Sequence, residues 1–159
     1  MYTSLKIPTF CKMLIRSFLY NRTVNYIIGT VSVLIGGLLY LTFRTDSLIM
    51  FNWLDKIGLT SQISFLRESC EGISLYSWIK YNLPAALWLF SYMFIIRGIW
   101  LNSHQNIIYN IFLWGVPTMA ISSELLQFFG AIPGTFDYKD IIAYLAGLVM
   151  YFLITKSKI

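Results

Sequence analysis

Charge is what this chain has least of: Asp, Glu, Lys and Arg together make up 12% of its 159 residues, against 57% apolar and 18% aromatic side chains. A water-exposed domain carries about 25% charge, so the composition excludes one and predicts an integral membrane protein. Histidine is nearly absent, and the one present, His104, sits in a short polar connection, NSHQN. We read it as a turn residue on the opposite side of the membrane from the carboxylates, out of reach for acid–base work with them. Cysteine occurs twice, at Cys11 and Cys70. In the topology derived below they lie on opposite sides and cannot pair. Cys11 also lacks the preceding apolar run of a lipid-attachment site. No cleavage site of small residues follows an early apolar run, so the chain reads without a signal peptide. Internal repeats and low-complexity segments are absent, and residues 1–159 are expected to form a single transmembrane domain.

Acids are missing from two places in particular. The first 25 residues carry Lys6, Lys12, Arg16 and Arg22 with no acid, and the tail carries Lys156 and Lys158 with none. All seven acids, Asp46, Asp55, Glu68, Glu71, Glu124, Asp137 and Asp140, fall in the other inter-helix regions or at helix ends facing them. The positive-inside rule then places both termini in the cytoplasm. Residues 1–25 set Phe10, Met13, Leu14 and Phe18 at helical spacing, with Lys12 and Arg16 four apart. That pattern suits a basic interfacial helix on anionic lipid, or simply a topogenic anchor.

What the chain does have is long apolar runs. Residues 26–43 suffice to cross a core of ~30 Å at ~1.5 Å per residue. Ser32, Gly36 and Gly37 on that run permit close approach of a neighbour. Residues 83–101 cross back, opened by Asn82 as an N-cap with Pro84 behind it, and Arg97 lies near the far end. Residues 107–130 cross outward with a kink expected at Pro117, and 138–155 return. The fold class is all-α: a bundle of four transmembrane helices, N-in and C-in. Residues 45–80 form an extracytoplasmic interfacial region, with one short helix over 47–57 capped by Ser47 and ended at Gly58, and a second after Ser61.

Candidate chemistry concentrates in residues 122–147, SSELLQFFGAIPGTFDYKDIIAYLAG. Ionisable groups inside or beside apolar runs are costly and mark functional sites by default. At about 100° per residue, Val116, Pro117, Ala120, Ser123, Glu124, Gln127 and Ala131 share one arc of the third span. Asp137, Asp140, Tyr144, Gly147 and Tyr151 share one arc of the fourth, with Lys139 pointing away. The short turn AIPGT makes these spans antiparallel neighbours, so the two polar faces are expected to meet. Glu124 lies six residues, ~9 Å, below Gly130 and needs a proton, a partner or water. Arg67, Lys80 and Arg44 are the available cations. Three readings stay open: interhelical packing, a binding site for a polar or cationic part of a ligand, and hydrolysis. Two aspartates three apart on one helix do not make an opposed dyad sharing a proton. A metal set built on Glu124 and the aspartates would lack histidine and, save Cys70, cysteine.

The same stretch resembles the VanZ-like family of small bacterial membrane proteins: E-x-x-Q late in the third span, a short turn, D-x-x-D entering the fourth, then a glycine. Glu124, Gln127, Asp137, Asp140 and Gly147 match in order and spacing. Family members often carry an arginine in the turn, where this chain reads GT, and an asparagine where it has Ala143. The resemblance implies a polytopic protein of the bacterial cytoplasmic membrane, in a family whose namesake is associated with reduced sensitivity to teicoplanin. The binding residues expected are Glu124, Gln127, Asp137, Asp140, Tyr144 and Arg67, with no catalytic residue, metal or cofactor assigned. Expected partners are membrane lipids and either an envelope ligand, of the glycopeptide or lipid-linked-precursor kind, or a membrane-complex partner, and no nucleic acid. An accessory or structural subunit of an envelope complex is the alternative, and a membrane hydrolase the third reading.

Overall fold

The computed structural model describes residues 19–45, 49–103 and 106–155. The expected N-terminal interfacial helix, Cys11, Asp46, Ser47, His104 and the tail lysines lie outside them. Seven helices are described and, among those residues, no strand: α1 (Arg22–Phe43), α2 (Ile49–Lys56), α3 (Thr60–Ser69), α4 (Ser77–Tyr81), α5 (Leu83–Trp100), α6 (Ile107–Phe128) and α7 (Tyr138–Thr155). Four of them, α1, α5, α6 and α7, are long and apolar enough to cross a membrane. The chain is a multi-pass, all-helical membrane protein.

Local chemistry sets the ends. Asn21 caps α1, its Oδ1 accepting the Thr23 N–H at 2.9 Å, so the helix starts four residues before the purely apolar run. Asn106 caps α6 in the same way through the Tyr109 N–H at 3.0 Å. Glycine ends two helices. Gly58, at φ 76°, follows α2 with the Leu59 N–H donating to the Leu54 carbonyl at 3.0 Å. Gly130, at φ 67°, follows α6 with the Ala131 N–H on Leu126 O at 2.9 Å and its own N–H on Gln127 O at 3.0 Å. Both satisfy carbonyls a helix end would otherwise leave bare.

α5 lies at the centre, where Leu89, Ser91, Met93 and Phe94 are almost completely enclosed. In lipid, helices associate by close packing and hydrogen bonds more than by exclusion of water, so small residues matter. α1 packs antiparallel on α5 along such a line. The Ser91 hydroxyl donates to Gly29 O at 2.7 Å. A Cβ on Gly29 would lie 2.7 Å from Ile95 Cγ1, and one on Gly36 3.3 Å from Leu87 Cβ. Ser32 is buried there too, whereas Gly37, expected to join the contact, has nothing within 4 Å. α7 runs parallel to α5 on another side, and Gly147 is the closest point: a Cβ there would sit 2.5 Å from Ala86 O.

α6 joins this trio more loosely. Its contacts are largely aromatic: Trp100 stacks on Phe112 with centroids 5.5 Å apart, Trp114 stacks on Phe152 at 5.5 Å, and the Tyr92 hydroxyl donates to the Phe112 carbonyl. The helix continues unbroken through Pro117. Pro117 offers no N–H to the Leu113 carbonyl. One residue on, the Thr118 hydroxyl donates to Trp114 O at 2.8 Å and Gly115 O at 2.9 Å.

Candidate functional site

Four helix ends converge at the end of the bundle where α1 and α6 finish and α5 and α7 begin. The carboxylates are gathered there. Glu124 sits one turn before the end of α6 and is only 7% exposed. Its Oε2 accepts the Asp137 N–H at 3.4 Å, across the turn. Asp137 is the N-cap of α7: its Oδ1 accepts the Lys139 N–H at 2.9 Å, and its carbonyl accepts the Asp140 N–H at 3.0 Å. Placing a carboxylate there satisfies a free helix donor and meets the positive end of the helix dipole. Glu124 lies within electrostatic range of both Asp137 and Asp140.

Asp140 takes its partner from the central helix. The Asn82 side-chain amide donates to Asp140 Oδ1 at 2.8 Å. Asn82 was expected to cap α5. It holds that position with helical backbone angles, φ −110° and ψ −31°, and makes no side-chain cap. The amide is spent on α7 instead, so the polar face of α7 meets α5 as well as α6. Tyr144, one turn below Asp140, lies within electrostatic range of Asp140, Glu124 and Arg44. Gln127 packs its amide on the turn: a Cβ on Gly134, where φ is 142°, would fall 2.7 Å from Gln127 Cδ and Nε2. Lys139 is exposed, as the helical arc predicts.

The three cations near this end are held by aromatic rings and carbonyls. Arg67 donates from Nε to Leu41 O at 2.9 Å and from a terminal nitrogen to Arg44 O at 2.6 Å, and lies over the Phe51 ring at 4.7 Å. It thereby fastens α3 to the carbonyls at the end of α1, where a cation also suits the helix dipole. Lys80 lies over the Phe43 ring at 5.4 Å. Arg44 sits between the Tyr40 and Tyr81 rings at 5.4 and 5.5 Å, and its Nε–H is enclosed without an acceptor. Of the three, Arg44 is the one in electrostatic contact with the tyrosine beside the carboxylates.

The structure thus brings Glu124, Asp137, Asp140 and Tyr144 together, sets Gln127 against the turn, and commits Arg67 to the end of α1. Asn82, expected as a cap, and Arg44, named among the available cations, join the group of binding residues. The tyrosines around Arg44 were a signal available in sequence, since guanidinium and aromatic faces attract. Among the described residues, no three His, Cys, Asp or Glu side chains are arranged to hold a metal ion. The arrangement can accept hydrogen bonds from a cationic or hydroxyl-rich group, with a guanidinium to one side. Compared with known protein families, with characterised proteins and with solved structures, the chain shows no match.

Proposed function

We propose that this is a VanZ-like protein of the bacterial cytoplasmic membrane that binds a polar or amphiphilic envelope ligand at its extracytoplasmic face. The ligand class is a glycopeptide-type antibiotic or a lipid-linked cell-wall precursor. The observation that carries this reading is Glu124, a carboxylate enclosed in a membrane-length helix whose hydrogen-bond partner among the described residues is a backbone N–H at a long 3.4 Å. A buried acid with so weak a partner, next to two further carboxylates, is poorly explained by packing alone. Binding supplies the missing partner.

The test is a deletion strain screened for sensitivity to envelope-targeting compounds, glycopeptides among them. The expected result is a changed sensitivity that the wild-type gene restores and that E124Q and D140N fail to restore at normal protein abundance. If both variants vanish from the membrane, the carboxylates are packing devices and the binding reading falls.

A second reading, an accessory or structural subunit of an envelope complex, is favoured by one feature. Phe128, Phe129 and Phe136 pack ring against ring at 5.3 and 5.1 Å beside the carboxylates, yet stay exposed. Such a cluster suits either an interfacial aromatic belt or a partner helix. Gentle detergent extraction that brought down a stoichiometric partner, lost on replacing Phe129 by Ser, would favour the subunit.

A further inference from the structure

A second polar group lies at the opposite end of the bundle. Arg97, in the last turn of α5, is half-buried, and its Nε–H is enclosed without an acceptor. Tyr151 on α7 and Tyr109 on α6 are 2% and 7% exposed. Tyr151 lies within electrostatic range of both Tyr109 and Arg97. The Tyr20 ring lies 6.0 Å from the guanidinium carbon. Asn25 on α1, fully enclosed beside Gly98, gives its amide to Leu19 O at 2.9 Å and Asn21 O at 2.8 Å, leaving Oδ1 with no partner.

A guanidinium in an apolar setting is normally balanced by a carboxylate. Here no side chain can supply one. The chain has no acid in residues 1–45, in 72–123 or after 140. Among the described residues, those stretches include the elements around Arg97: the start of α1, the second half of α5, the start of α6 and the end of α7. Phenols and ring faces direct the guanidinium but do not neutralise it, and a bridging water would fill the Nε–H while leaving the charge unbalanced. Apart from the terminal carboxylate, the chain has no anion to offer at this end.

We propose that Arg97, with the hydroxyls of Tyr109 and Tyr151, forms a site for the phosphate of an anionic phospholipid. The guanidinium fork matches two phosphate oxygens at once, and the hydroxyls offer further donors. Arg97 lies three residues, ~4.5 Å, from the end of α5, which sets it near headgroup depth. Trp100, stacked on Phe112 beside Tyr109, marks that same boundary. The lipid enters where α6 packs loosely on α5. The site is independent of the carboxylate cluster and of the ligand proposed for it.

The test is native mass spectrometry of the detergent-solubilised full chain with a C-terminal tag, which carries the terminal carboxylate away. Phosphatidylglycerol, phosphatidylcholine and inorganic phosphate are titrated separately. Wild type and R22Q are expected to hold phosphatidylglycerol about tenfold or more tighter than phosphatidylcholine. R97Q should lose that preference. R97K, which keeps the charge but lacks the fork, should bind phosphatidylglycerol several-fold more weakly than wild type and keeps the test open if R97Q does not fold. The proposal is overturned if R97K binds like wild type, if wild type holds both lipids equally, or if inorganic phosphate displaces the lipid at equal concentration.

Discussion

A single missing carbon at Gly147 decides how near α7 comes to α5. A Cβ there would lie 2.5 Å from the Ala86 carbonyl oxygen, and backbone cannot rotate out of the way as a side chain can. G147V should therefore lower stability by about 1–3 kcal/mol or more, read as a lower thermal midpoint in detergent. G37V, on a glycine with open space around it, should leave the midpoint nearly unchanged. The sequence motif marked Gly147 only by its place after the aspartates; the carbonyl it accommodates belongs to a residue 61 positions away and left no local trace. Asn82 illustrates the same limit. Its place before Leu-Pro reads as a cap, but its partner is Asp140, 58 residues on. Asp137, by contrast, was legible, because an N-cap acts on donors two or three residues away.

At the scale of elements, the spans follow from hydropathy, and their boundaries follow where short-range chemistry sets them. α7 occupies residues 138–155 as the apolar run predicts, and Gly58 ends its helix as expected, while Gly130 falls just beyond a helix that stops at Phe128. α1 begins earlier than its apolar run because Asn21 caps it through the Thr23 N–H, drawing into the helix Arg22 and Asn25, two polar residues that hydropathy alone discards. α4 was not anticipated: five residues hold too little periodicity to read. The short helices between α1 and α5 were expected as elements, but not their fastening. Arg67 holds α3 to α1 by hydrogen bonds of 2.9 and 2.6 Å. R67Q should release that hold. Hydrogen exchange across residues 60–69 is expected to rise by one to two orders of magnitude, roughly the loss of one charged hydrogen bond worth about 1.5–3 kcal/mol, with α5 and α7 unaffected.

For the whole molecule, the number of spans was legible and their arrangement was not. Hydropathy sees each helix against lipid, whereas the choice of α5 as the centre rests on Gly29, Gly36, Ser91 and Gly147 fitting particular carbonyls and side chains. The proposed orientation rests on the acid-free ends of the chain and is open to direct measurement. In intact cells a membrane-impermeant maleimide is expected to label Cys70, a free thiol after α3, and to spare Cys11 until the cells are opened. The reverse pattern would put the carboxylates on the cytoplasmic side.

The unequal grip on the four spans has a mechanical corollary. α1, α5 and α7 are interlocked backbone to backbone and behave as one fixed jaw, bearing Asp137, Asp140 and Asn82. α6, resting mainly on ring faces, carries Glu124 and Gln127 on the opposing jaw. A guest of the kind proposed, placed between Glu124 and the aspartates, would have one inexpensive way to make room, by prising α6 outward into lipid. The room so gained would be governed by the stack of Trp114 on Phe152, 10 residues further down α6, so bulk at Trp114 would tune what fits beside Glu124.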